Sequence, residues 1–289
     1  MKYAWIEGEY LPEEDAKISI FDRGVVIGDG VFETVLAENG IPEFFHQHFD
    51  RFEIACKKLK LLVPLDEREF REIILTLCAK NNLNQAAVRI TYTRGIGLPG
   101  LDIEPKQKGN LFITAKEVSP ALRNDHSKGV AIQISQYTSH QANALDPCIK
   151  STNYLVNIMA KHEAVVSGFD DALFLNEKKE VAEFTTASLF AVIEGKLHTP
   201  PLAAGILPGI TRSVFIQNAQ LLGMELVEEP LSLNNLYQAD EIFMTSSLRG
   251  SKSVDKIEKV NFKIEGKWTK ALRAAYFKSA KVDRDRHLY

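Results

Sequence analysis

The chain has 289 residues, 45% of them hydrophobic, enough to bury a large core spread over two domains of ordinary size. A formal net charge of -3 gives no reason to expect nucleic acid or an anionic membrane as partner. No run reaches the roughly 18 apolar residues that span a bilayer, and the opening M-K-Y-A-W-I-E-G reads as a strand rather than a signal peptide, so a soluble, cytoplasmic protein is expected.

Strand signals come first, at 3–6, 17–21 and 31–38, the last closed by the turn Asn39-Gly40. Apolar residues at helical spacing follow over 44–62 and 67–79, then strands over 87–94 and 111–116. Together these make an α+β domain over 1–118. The polar stretch 119–128 reads as an interdomain linker, and 129–289 as a larger second domain. That domain opens with a strand at 130–135 and a helix beginning near Ser151, whose core face is Leu155, Ile158, Met159, Ala164 and Val165. A hairpin-like pair at 171–176 and 188–193, a helix at 211–222, strands at 225–227 and 241–245 and a helix at 268–279 complete it.

Two local patterns are set aside. Gly95 to Gly100 spells G-x-G-x-x-G after a strand, but Pro99 interrupts it and no long helix follows to offer its N-terminus to a pyrophosphate. A flexible loop at the rim of the active site is expected there instead. Cys56, Cys78 and Cys148 lack C-x-x-C spacing, and His46 and His48 would not share one helix face, so no metal site is expected.

The stretch around which the second half is organised is C-I-K-S-T-N-Y-L, which sets Lys150 between a strand and a helix. Downstream come E-V-A-E-F-T-T-A-S-L-F (180–190), L-P-G-I-T-R (207–212) and M-T-S-S-L-R-G (244–250). With I-S-I-F-D-R-G near the start, these motifs resemble the class IV aminotransferase family over nearly the whole chain. The resemblance implies a two-domain D-amino-acid aminotransferase-like fold (fold type IV), with a smaller N-terminal α/β sandwich and a larger C-terminal barrel-like domain. It also implies a homodimer and pyridoxal 5'-phosphate (PLP) as cofactor.

On that resemblance Lys150 holds the cofactor as a Schiff base and moves protons, for which an amine must be neutral part of the time. Glu183 faces the pyridine nitrogen, whose protonated form a carboxylate favours. The cofactor's phosphate falls to Gly209, Ile210 and Thr211 at a helix N-terminus, where backbone amides and the helix dipole favour an anion, with Arg51, Ser246 and Ser247. His48, in the same H-x-x-R segment as Arg51, is given structural support. Ser188 stands where many relatives have asparagine, and Tyr154 either bonds the cofactor's ring hydroxyl or packs on its helix.

The resemblance also implies a small amino compound as substrate. V-F-E-T-V differs from the F-E-G-I-R typical of branched-chain transaminases, and T-R-G-I-G-L-P-G lacks the R-x-H pair with which D-amino-acid transaminases grip a carboxylate. F-D-R-G-V-V-I-G-D-G-V-F-E-T-V and S-S-L-R-G, with Leu248, are similar to the 4-amino-4-deoxychorismate lyase branch, which releases pyruvate and 4-aminobenzoate in folate biosynthesis. That lyase is the leading expectation, ahead of a branched-chain or D-amino-acid aminotransferase and of a non-catalytic PLP-binding relative. Arg94 and Arg249 are candidate carboxylate partners or structural ion pairs, and Phe32 lines the ring pocket or is simply core.

Overall fold

The computed structural model describes residues 1–98, 100–103, 108–138 and 146–287. The chain divides into two compact units, Met1–Pro120 with Ile149–Asn153 and Val282–Tyr289, and Ala121–Cys148 with Tyr154–Lys281.

The first unit is an antiparallel six-stranded sheet with helices. β1 (Tyr3–Ile6) and β2 (Glu9–Pro12) form a hairpin about Glu7 and Gly8, both at positive φ. After α1 (Arg23–Ile27) come β3 (Gly30–Glu38), β4 (Ile41–Pro42), α2 (Phe45–Lys58), α3 (Glu67–Lys80), β5 (Gln85–Thr93) and β6 (Asn110–Glu117). The strand order is β2-β1-β6-β5-β3-β4. The strand expected over 17–21 is absent. β1 takes its partner from residues 9–12 instead, and Ile20 and Phe21 are left exposed. α3 starts on a capping box, the Asp66 side chain accepting from the Glu69 N–H while Glu69 reaches back to the Asp66 N–H. Burial pushes the Cys56 thiol, on α2, up to about 12 and that of Cys78, on α3, up to about 11, as suits packed side chains.

The second unit begins with α4 (Ala121–Asn124), inside the stretch expected to be a linker, its Arg123 guanidinium set against the rings of Tyr276 and Phe277. β7 (Val130–Thr138), α5 (Leu155–Val166), β8 (Asp171–Leu175), β9 (Val181–Phe184), β10 (Ser188–Ile193), β11 (Lys196–His198), α6 (Ile210–Leu221), β12 (Leu226–Val227), α7 (Leu233–Leu236), β13 (Glu241–Ser246), β14 (Gly250–Ile257), β15 (Val260–Asn261) and α8 (Lys267–Asp285) follow, α8 passing into the first unit at Val282. The sheet order is β12-β11-β10-β13-β14-β7-β8-β9, with β15 beside β14. β9 is the last strand of that order yet runs straight into β10, the Phe184 N–H donating to the Ala187 carbonyl. The sheet therefore curls on itself around Ile132, Leu173, Val181, Leu189, Ile242 and Val254.

Helix α5 corrects an expectation. Its buried residues are Ala160 and Ala164, packed on Ala172, Phe174 and Ile206, whereas Leu155, Ile158, Met159 and Val165 lie outward. Two alanines one turn apart let the helix backbone lie close to the sheet, a gain that outweighs the larger side chains on the other faces.

Candidate active site

In the first unit the sequence folds the Lys150 segment onto β3. The Phe32 N–H donates to the Lys150 carbonyl at 2.9 Å and the Thr152 N–H to the Gly30 carbonyl at 3.0 Å, with Val31 and Ser151 bridging between them. Thr152 Oγ1 and Asn153 Nδ2 both donate to the Gly28 carbonyl. These bonds explain why Ile149–Asn153 belongs with the first unit, although the sequence puts it in the second domain. The Lys150 Nζ rests 4.5 Å from the centre of the Phe32 ring. Against the same ring, at 3.7 Å, lies the guanidinium of Arg89, which β5 brings alongside because Phe32 pairs with Thr91 and Thr34 with Arg89.

On the opposite face of β3, Glu33 points into the unit. Arg51 Nε and Nη2 donate to its two oxygens at 2.7 Å each, and His48 Nδ1 lies 2.8 Å from Oε2. All three side chains are buried. Burial pushes the Glu33 carboxyl up, but Arg51 and His48 outweigh it and hold the group far below the usual carboxylate range. Burial pushes His48 down, with Arg51 and Lys150 adding to it against the pull of Glu33. His48 is therefore neutral near pH 7 and its Nδ1 carries the proton donated to Glu33.

Arg94 is occupied elsewhere. It is 2% exposed; Nε and Nη2 donate to the Asp29 carboxylate at 2.7 and 3.0 Å, and Nη2 also to the Leu59 carbonyl. Of the two roles open to it in the sequence, the geometry favours the structural ion pair. Arg23 joins Asp29 from α1 and donates to the carbonyls of Leu98 and Gly100, in the turn after β5; Pro99 within that turn lies outside the described residues.

In the second unit, Glu183 is half-buried on β9, and the Leu207 N–H donates to both its oxygens at 3.3 Å. Gly209 caps α6 without a side-chain hydrogen bond, leaving the first-turn amides of Ile210 and Thr211 directed out of the helix end. A Cβ on Gly209 would come within 2.7 Å of the Ser188 Oγ. Glycine thus keeps open a cradle of amides and a hydroxyl, a donor set that suits a phosphate group. Ser188 sits across from Thr245, and Thr245 from Ser251, so three buried hydroxyls cross the sheet in one row. Ser246 and Ser247 follow at the end of β13, and Arg249 and Ser246 close a turn there, the Arg249 N–H donating to the Ser246 carbonyl. Tyr154 caps α5, its carbonyl accepting from the Ile158 N–H.

Glu33 and Arg89 are absent from the site expected on sequence. Glu33 carried a signal, a carboxylate among Val31, Val35 and Ala37 on one face of a strand. Arg89 had none, because a strand arginine is ordinarily solvated and only the pairing of β5 with β3 brings it to Phe32.

The chain shares its architecture with known enzymes. A model of the amino-transferase class IV family matches residues 30–257. The chain is 37% identical to a protein of Methanocaldococcus jannaschii carrying the provisional name branched-chain-amino-acid aminotransferase, over 94% of each chain. It is 32% identical to the aminodeoxychorismate lyase of Bacillus subtilis, over 96% of this chain and 94% of that one. The crystal structure of the T.th. branched-chain amino acid aminotransferase with pyridoxamine 5'-phosphate superposes with a TM-score of 0.90 at 27% identity, covering 97% of this chain and 94% of that one. The chain belongs to the class IV aminotransferases, PLP-dependent enzymes of fold type IV.

Proposed function

We propose that the protein is an aminotransferase whose amino-acid substrate brings its amine to Lys150 and a carboxylate to Arg89. The observation that carries this reading is the pair of cations set against the one ring of Phe32. Bound PLP supplies an electron sink that acidifies the carbon bearing the substrate amine. Lys150 Nζ then takes that proton and redelivers it. Glu183, its oxygens oriented by the Leu207 N–H, would favour the protonated form of the cofactor's pyridine nitrogen. The α6 N-terminus, Ser246, Ser247 and Arg51 would hold the cofactor's phosphate, and Tyr154 would bond its ring hydroxyl or pack beside it.

A second reading, the aminodeoxychorismate lyase, draws on S-S-L-R-G with Leu248 and on the 32% identity to the Bacillus subtilis enzyme. One assay separates them: the PLP-loaded protein is given L-leucine, L-valine, D-alanine or aminodeoxychorismate. Keto-acid release with conversion of the cofactor to its amine form supports the aminotransferase. Stoichiometric 4-aminobenzoate and pyruvate support the lyase instead, and turnover of none of these substrates sinks both. Arg89→Gln should raise KM for the productive substrate on the order of tenfold, the cost of one charge-assisted contact, with a smaller change in kcat. An unchanged KM would remove Arg89 from the substrate site.

A further inference from the structure

We propose that Glu33 is a positioning residue for the cofactor's phosphate, acting through Arg51, whose orientation it fixes together with that of the neighbouring His48. The inference rests on the reading of Arg51 as a phosphate ligand. It concerns a residue that touches neither phosphate nor substrate in that reading.

Two observations carry it. First, Glu33 is 2% exposed on a strand face whose other members are apolar, so its charge is tolerated only because partners surround it. Second, the contacts are directional. Arg51 engages through Nε and Nη2, one edge of its planar head, which fixes the plane of the guanidinium and the direction of every other N–H it carries. The ionised carboxylate likewise demands a proton on His48 Nδ1, leaving Nε2 as the acceptor side of the ring. His48 and Arg51 are three residues apart on α2, so a single carboxylate orients two side chains on one helix face. A buried ion pair is seldom retained for stability, since well-packed apolar residues of the same volume do as well or better, so its fixed geometry is the property it contributes.

The test compares two probes that differ only in the phosphate. Apo-protein is titrated with PLP and, separately, with pyridoxal, and dissociation constants are read from quenching of intrinsic fluorescence. In the wild type PLP should bind far more tightly than pyridoxal. Glu33→Gln keeps the shape but loses the charge and one acceptor, so it should weaken PLP by at least tenfold, the loss of one charge-assisted hydrogen bond, while pyridoxal changes less than twofold. In the Arg51→Gln background, Glu33→Gln should then add little. Equal weakening of both probes, or a preference for PLP kept in full, overturns the proposal and marks Glu33 as a packing residue. Should Glu33→Gln fail to fold, Glu33→Asp is read in its place, and failure of both variants to fold also overturns it. A wild type that binds PLP no better than pyridoxal would instead overturn the phosphate reading itself.

Discussion

At the scale of single residues, the proposed chemistry turns on where Lys150 is held. Its backbone is bonded into β3, so its side chain projects from a fixed base toward Phe32 rather than from a mobile loop. Lys150→Ala should leave that backbone pairing in place while removing the amine. The expected outcome is a folded protein with an unchanged melting temperature, no visible cofactor band and no turnover. A variant that kept the band would require another lysine as the anchor.

At the scale of elements, two junctions are decisive. The first is Asp29, which joins α1 to the end of β5 through Arg23 and Arg94. Burial raises its carboxyl, but the two guanidinium groups prevail and hold it below the usual range. Since the folded pKa lies below the unfolded one, this contribution is present above the unfolded pKa and lost as pH falls through the folded value. Asp29→Asn should therefore cost roughly 3 kcal/mol near pH 7, because it leaves two buried arginines without their carboxylate. In urea titrations the gap to wild type should narrow below about pH 4, where the carboxyl of the unfolded chain begins to protonate while the folded one is still ionised. A gap independent of pH would point to packing.

The second junction is the start of α6. Gly209 has φ -67, a value any residue adopts, so glycine is needed there for space and not for backbone freedom. Gly209→Ala should press on the Ser188 Oγ and weaken PLP binding severalfold, and adding Ser188→Ala should recover most of the loss. If the double variant binds no better than the single one, the crowding lies elsewhere, for example at the Arg212 Cβ, 3.3 Å away.

At the scale of the whole molecule, the first unit exposes Ile20 and Phe21 together with Val25 and Val26 of α1, four large apolar side chains within seven residues. Such an exposed run suits a contact with a second copy of the chain, the homodimer that the family resemblance implies. Sedimentation should give twice the mass of one chain, and Phe21→Asp with Val25→Asp should yield a folded monomer. A wild-type monomer at micromolar concentration would end this reading. Among the described residues, no helix is long and apolar enough to cross a membrane.

How much of this could be read from the sequence follows from the range over which each signal acts. Lys150, Glu183 and G-I-T-R are legible because their motifs are local, and the helices 45–58 and 67–80 because their apolar spacing and the capping box are local too. The strand expected at 17–21 and the apolar face expected for α5 failed because alternation and periodicity say that a segment is amphipathic but not what it packs against. By itself the sequence determined the family and the cofactor, and it marked Lys150 as the lysine to propose as reactive. Only the tertiary structure decided that Arg94 belongs to Asp29, that Arg89 reaches Phe32 and that Glu33 holds Arg51. Each of these depends on strand register or on a pairing across many residues, and a buried charge is explained only once its partner has been brought beside it.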